Sequence, residues 1–372
     1  MTEQPDAVVI GAGPNGLVAA NVLADEGWDV VVLEAQPDPG GAVRSAELAP
    51  GFVHDRFSAF YPLAAASPVM QRLELERFGL RWRRAPLPLA HPTPEGGCAV
   101  LSTDVDETAA SLDDIAPGDG DAWRALYARW QRVGRHVVDA LLTPFPPVRA
   151  GARLGLALGP AGLGQFARFS LVPVRALAAE MFRGEGGGLL LAGNAMHADF
   201  APETALSGFF GWMLASLGQE HGFPVPEGGS GKLTEALVRR LESRGGRVVC
   251  DTPVTGIEVR GRRAVAVRTE GGDEIGVTRA VLADVGAPAL YGGLVRPEHL
   301  PARILEGMRR FQYDHGTFKV DWALDGPVPW TAPAARRAGT VHLADSMDHL
   351  SEVAMQLATD RIPAHPFQLV AR

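Results

Sequence analysis

Two short apolar runs rich in Val and Ile, Ala7–Ile10 and Val30–Leu33, read as strands. Between them lie a glycine-rich turn and residues 17–25, where Ala, Leu and Val recur at the three- and four-residue spacing of a helix with one buried face. Strand, turn, helix and strand within about 30 residues is the length of one βαβ unit. The next such block comes much later: a helix over residues 232–244, a strand over 248–250, and alternating runs over 256–260 and 264–269. Gly261 with Arg262, and Gly271 with Gly272, fall where those runs need hairpin turns.

The middle of the chain is mostly helical in pattern. Cys98–Leu101 reads as a strand after the turn at Glu95, Gly96 and Gly97, and Asp119–Leu141 as a helix whose Trp123, Leu126, Tyr127, Trp130, Val133 and Val137 share one face. That face is expected in the core. The glycines at 184–188 stand among Arg and Glu with no strand ahead of them and read as a linker. Residues 145–177 carry Arg149, Arg153, Arg168 and Arg175 among Leu, Val and Phe. Core helices with solvated arginine rims are expected there, and peripheral contact with a membrane surface is the alternative.

Composition narrows the class. The 372 residues are 46% hydrophobic and 21% charged, the balance of a soluble globular chain large enough for two intertwined domains. Lys+Arg 35 against Asp+Glu 43 leaves a net charge of -8, so no global basic field draws in nucleic acid. Cys98 and Cys250 lie far apart and outside any metal-ligand spacing, which argues against a disulfide framework, a metal site and a dithiol centre. A reducing, cytoplasmic setting is expected. The first residues lack the basic and apolar regions of a signal peptide, and no run approaches the roughly 18 apolar residues of a membrane span.

Chemistry is concentrated in residues 11–16. Gly11, Gly13 and Gly16 match G-x-G-x-x-G, with Pro14 and Asn15 opening the helix. The first glycine permits the turn, the second lets backbone approach a pyrophosphate, and the third lets helix pack on sheet. The helix end supplies N–H groups and a positive dipole end to an anion. Glu34 follows Gly16 by 18 residues at the end of the second strand, where an acid binds a ribose diol. Ala35 and Gln36 bring no cation for a 2′-phosphate.

Residues 8–52 resemble the amino-terminal FAD signature of the phytoene desaturase and amine oxidase-like flavoproteins, including the glycine pair Gly40 and Gly41 after the ribose acid. Residues 228–259 are similar to that superfamily's second FAD-binding block, and residues 318–330 resemble a bacterial branch distinct from the true carotenoid desaturases. The resemblance implies FAD as cofactor, with backbone at Val254 holding the adenine. Ala42 and Val43 separate Arg44 from the glycine pair, so an Arg44 contact with the pyrophosphate departs from the usual pattern. Nothing after Gly316 resembles the superfamily's carboxy-terminal glycine-rich block, and the natural chain is expected to continue beyond Arg372.

The implied fold is α/β: a discontinuous Rossmann-like FAD-binding domain (residues 1–90 and 225–300) with an inserted α+β substrate domain (91–224, continued by 301–372). The implied activity is FAD-dependent dehydrogenation or desaturation of a small apolar substrate. A flavin amine oxidase and a non-catalytic FAD-binding regulator are the alternatives, and a plain NAD enzyme is disfavoured by the glycine pair and the layout. No second G-x-G-x-x-G appears, so the acceptor would be oxygen, a quinone or a carrier meeting the flavin directly. No catalytic residue is assigned. His54, Asp55 and Ser58, and His197 with Asp199, carry the residue types for chemistry, but a surface hydrogen bond and a satisfied buried histidine are the readings favoured for them.

Overall fold

A computed structural model describes residues 4–371, which divide into two compact units. The first takes residues up to Ala59, then Val69–Trp82 and Val225–Ala323. The second takes Phe60–Pro68, Arg83–Pro224 and the residues from Leu324 on.

The first unit is built on a four-stranded parallel sheet in the order Ala280–Ala283, β1 (Ala7–Ile10), β2 (Val30–Leu33), Arg247–Val249. Every residue of β1 and β2 is buried, as the continuous apolar runs require of strands covered on both faces. Helix α1 (Pro14–Asp25) starts with proline at its first turn, where the missing N–H costs nothing. It packs against the helix Gly231–Ser243 through a buried polar joint. Asn21 Nδ2 donates to Leu17 O (2.9 Å) and Leu237 O (3.0 Å), while Arg240 donates to Asn21 Oδ1 (3.1 Å), Leu73 O (2.8 Å) and Asp25 Oδ2 (2.9 Å). With its donors so engaged, a guanidinium only 5% exposed is tolerated in the core. A three-stranded antiparallel sheet, Val254–Arg260, Arg263–Thr269 and Glu274–Gly276, sets Ile257 and Val267 against Val8, Ile10, Val31 and Leu33. Its first hairpin turns on Gly261 and Arg262, both at positive φ (56° and 65°) as a two-residue loop requires.

The second unit combines a four-stranded mixed sheet with helices. The sheet runs Gln368–Ala371, Ala338–Leu343, Leu87–Pro92, Cys98–Leu101, with only the middle pair parallel. The helix Asp119–Leu141 buries Trp123, Leu126, Trp130, Val133 and Val137, the stripe its spacing predicts. Three indoles meet in this core with their N–H groups satisfied: Trp123 on Gln219 Oε1 (3.0 Å), Trp130 on Glu220 Oε2 (2.6 Å) and Trp212 on Leu126 O (3.1 Å). Among the described residues no helix is long and apolar enough to cross a membrane.

One expectation fails here. The glycines at 184–188 are not a linker: Gly186, Gly187 and Gly188 lie buried inside the helix Glu185–Met196. A Cβ on Gly187 would come within 2.6 Å of the Phe182 ring, and one on Gly188 within 2.9 Å of Ala178 Cβ. Close helix packing, which composition does not reveal, is what selects glycine there. The helix Val148–Leu171 packs Leu154, Leu158, Phe166 and the buried Phe169 against the core, while Val148, Leu156, Leu163 and Leu171 are exposed. Gly159 (φ 67°) ahead of Pro160 kinks it.

His91 and His342 are 0% exposed in the second unit's core. His342 Nε2 lies 2.9 Å from His197 Nε2, and His91 Nε2 lies 2.9 Å from Ala344 O. Their Nδ1 atoms have no partner, so both rings are neutral with the proton on Nε2, since an unpaired acceptor costs less than an unpaired donor. Burial pushes both titrations below the ordinary histidine value of 6.5, His342 the further, with the rings of His197 and His91 beside it. The unfolded chain therefore binds protons that the folded unit refuses, and stability present above about pH 6.5 is lost as pH falls. Melting temperatures followed by circular dichroism should drop between pH 7.5 and pH 5, and drop less in H342Q. The same offset between the two proteins at every pH would overturn this account.

Candidate functional site

The glycine loop closes where β1, α1 and the strand Ala280–Ala283 converge. Gly11 has φ 97°, and a Cβ there would sit 2.6 Å from Asp284 O. On Gly16 a Cβ would sit 2.3 Å from Gly11 O. Neither position admits another residue without moving backbone. Gly13 is the extended residue ahead of α1, its carbonyl accepting from Leu17 N at 2.9 Å. Pro14 and Asn15 follow as the first helical residues, Asn15 exposed.

Glu34 directly follows β2 and is 8% exposed. Its Oε2 accepts from Ala12 N (2.8 Å) and its Oε1 from Gln36 N (2.9 Å). Two backbone donors thus fix the carboxylate against the loop. An ionised carboxylate offers about four lone-pair positions, so capacity for a pair of hydroxyls remains. That is the donor and acceptor chemistry a ribose diol needs, and adenosine fits it. Thr252 N donates to Glu34 O (2.8 Å) and Asp251 N to Gln36 O (3.1 Å), which brings the start of the strand Val254–Arg260 toward the same corner. Ala35 and Gln36 are exposed.

The second glycine pair abuts the first loop. Gly40 N donates to Ala12 O at 2.8 Å, and a Cβ on Gly41 would lie 3.2 Å from Gly13 Cα. Both take positive φ, 119° and 54°. Arg44 Nε donates to Gly41 O (3.0 Å). Its side chain helps wall a cleft of about 380 Å³ with Ser45, Arg56, Thr234 and Arg239, which lies beside the glycine loop and is lined by neither its glycines nor Glu34.

The other polar candidates separate. His54 and Asp55 are neighbours on the strand Phe52–Asp55 and point to opposite faces, so they form no dyad. Asp55 Oδ1 accepts from Ser45 Oγ (2.7 Å) and Ser230 N (2.6 Å), fixing the start of the helix Gly231–Ser243, while His54 Nδ1 lies 3.6 Å from Asp321. Ser58 Oγ donates to Ala42 O (3.1 Å). His197 pairs with His342, and Asp199 follows at φ 55° beyond the helix end. Sequence reasoning missed Asp284, whose Oδ2 accepts from Gly16 N at 2.7 Å, and Thr234, which donates to Val43 O at 2.6 Å. Thr234 lies within the block 228–259 without having been singled out, and Asp284 belongs to no motif. Only the fold brings Asp284 across 268 positions to the loop.

A sequence profile described as flavin containing amine oxidoreductase matches residues 15–352. Pyridine nucleotide-disulfide oxidoreductase domain-containing protein 2 of Rattus norvegicus is 27% identical over 381 aligned positions, covering 91% of this chain and 64% of the relative. A zeta-carotene-forming phytoene desaturase of Myxococcus xanthus is 26% identical, covering 81% of this chain and 57% of that protein. The chain thus spans under two thirds of each. Among solved structures, an oxidoreductase from Methanosarcina mazei superposes with TM-score 0.56 at 17% identity over 82% of this chain and 65% of the other. Putrescine oxidase bound to putrescine superposes with TM-score 0.51 at 17% identity, over 82% and 63%. These two likenesses carry the fold. With the profile running over most of its length, the chain belongs to the flavin containing amine oxidoreductase family, and its cofactor is FAD.

Proposed function

We propose that this chain carries the FAD-holding and substrate parts of an oxidoreductase that removes hydrogen across a C–C or C–N bond of an apolar substrate. The observation that carries the cofactor assignment is the buried Glu34 carboxylate, held by Ala12 N and Gln36 N with acceptor capacity to spare beside the sterically required Gly11 and Gly16. Glu34 would take the ribose hydroxyls. Gly11, Gly13 and Gly16 leave the backbone bare for the diphosphate, with Pro14 and Asn15 presenting the positive end of α1. Gly40 and Gly41 keep the second loop close, Arg44 offers a guanidinium beside it, and Ala35 and Val254 flank the adenosine end.

FAD, when bound, supplies the acceptor for a hydride leaving carbon. The remaining tasks are positional: to hold the substrate C–H bond in place and keep water away. Similarity to a desaturase that forms zeta-carotene, over 81% of the chain, favours an apolar substrate over an amine. Anaerobic addition of lipophilic alkenes and amines to the flavin-loaded protein tests the choice through the visible flavin spectrum. Bleaching by an apolar hydrocarbon supports desaturation. Bleaching by amines alone makes the protein an amine oxidase, and a bound flavin that no compound in either set bleaches turns the reading toward a regulatory role.

Glu34→Gln should loosen FAD at least about tenfold, in line with the ~1.5–3 kcal/mol of a hydrogen bond to a charged group. Quenching of FAD fluorescence on titration measures it, with circular dichroism to show that the variant folds. An unchanged dissociation constant would remove the ribose contact.

A further inference from the structure

Asp284 stands where the cofactor's own charge must go. Its backbone N–H donates to Ile10 O at 2.8 Å, which pins it to the end of β1. Its Oδ2 accepts from Gly16 N at 2.7 Å and lies 3.0 Å from the position of a Cβ on either Gly13 or Gly16. Helix α1 has no side-chain cap from its own N-cap residue, Gly13, and Asp284 supplies one from a distant strand. We propose that Asp284 is an internal competitor for the FAD diphosphate and keeps the cofactor exchangeable.

This inference rests on the FAD reading above, and its physical content is simple. The N-terminal end of a helix favours an anion, and one carboxylate already occupies a first-turn donor. Glu34 places a second carboxylate on Ala12 N, while Arg44 is the guanidinium hydrogen-bonded to the facing loop. A diphosphate arriving at this end meets like charge before it meets compensation. Asparagine at 284 would keep the shape and still accept from Gly16 N–H, so removing the charge separates electrostatics from capping.

FAD titrations of the wild-type full chain, D284N and D284A, read by flavin fluorescence, test this. D284N should bind FAD about tenfold more tightly than wild type at low salt, with the gap narrowing in 1 M NaCl as screening sets in. D284A, which also loses the cap, should be less heat-stable than D284N. Equal or weaker binding by a folded D284N overturns the competitor role while leaving the FAD reading intact. If wild type and D284N both fold and neither takes up FAD, the cofactor reading itself fails.

A separate observation, in the second unit, carries a second inference. From Ala140 to Ala179 the chain has no acidic residue, although its net charge is -8. Within that stretch Phe145 (93%), Val148 (70%) and Leu156 (85%) are largely exposed. Val148, Ala152 and Leu156 follow at four-residue intervals on one helical stripe, with Arg149 and Arg153 one position round from it. Arg168 and Arg175 pair with Glu180 and with Glu203 and Asp348, whereas Arg149 and Arg153 have no ion pair among the described residues. An apolar stripe flanked by unneutralised cations suits the boundary of an anionic bilayer, with the stripe among acyl chains and the guanidiniums at headgroups. We infer that this helix docks on such a surface.

Co-sedimentation with vesicles of phosphatidylcholine, alone or with phosphatidylglycerol, should show binding to the anionic vesicles. V148E/L156E should lose it several-fold, and R149E/R153E should lose the preference for anionic lipid. Absence of wild-type binding to either vesicle overturns the inference. So does a dimer, seen by sedimentation velocity, that the same substitutions dissociate.

Discussion

Everything at the cofactor end of the first unit depends on three backbones meeting with no room for a side chain. The carbonyl of Gly11, the first turn of α1 and the carbonyl of Asp284 close on one another so tightly that a Cβ at Gly11 or Gly16 would overlap backbone oxygen. Side-chain rearrangement cannot relieve a clash with backbone. The loop is therefore rigid by exclusion, and what it presents outward is unshielded main chain and a helix end. Glu34 and Gly40 both fasten to the single residue Ala12 within this loop, one to its N–H and the other to its carbonyl. One short turn thus sets the positions of both the ribose acid and the second glycine pair.

Behind the loop, polar groups hold helices where apolar packing alone would leave their rotation free. Arg240 in the helix Gly231–Ser243 donates to Asn21 in the middle of α1, to Asp25 and to Leu73 O, while Asn21 donates to Leu17 O and Leu237 O. Loss of any member would strand buried donors or acceptors, a cost of about 1–3 kcal/mol for each group and more for the charged ones. At the other end of the same helix, Asp55 and Ser45 receive the N–H groups of Ser230 and Gly231. These contacts link segments far apart in the chain. They give the discontinuous unit a defined geometry as well as stability.

The βαβ unit was legible because short continuous apolar runs rich in Val flank a stretch of helical 3.6 spacing, with glycines at the first seam. Glu34 could be placed for the same reason, since a strand of four buried residues leaves little freedom for where it ends. Legibility failed where the cause is tertiary. Gly186–Gly188 look like a loop because their reason, the nearness of Ile115, Phe182 and Ala178, is spread over distant segments. Asp284 is an ordinary loop acid until a parallel strand carries it to Gly16. His54 and Asp55, disfavoured as a dyad from sequence, part because successive residues of a strand face opposite ways, and each finds another partner, Asp321 and Ser45. The outward turn of Val148 and Leu156 was hidden too, because an apolar stripe has the same spacing whether it meets a core or something outside the molecule.

The charge pattern explains how a chain of net charge -8 can hold a dianionic bridge at all. The loop adds no lysine, and both nearby acids accept from loop amides, Glu34 from Ala12 and Asp284 from Gly16. On the reading proposed above, the attraction left for a diphosphate would come from the dipole of α1, the remaining N–H groups and Arg44. Such a site selects by shape and donor direction more than by charge. A bulky or misdirected anion gains little there, because it meets two carboxylates without reaching the amides that offset them. Tight binding would then require the adenosine end to be seated on Glu34 at the same time. On that reading, recognition of the whole dinucleotide would follow from the weakness of the phosphate site taken alone.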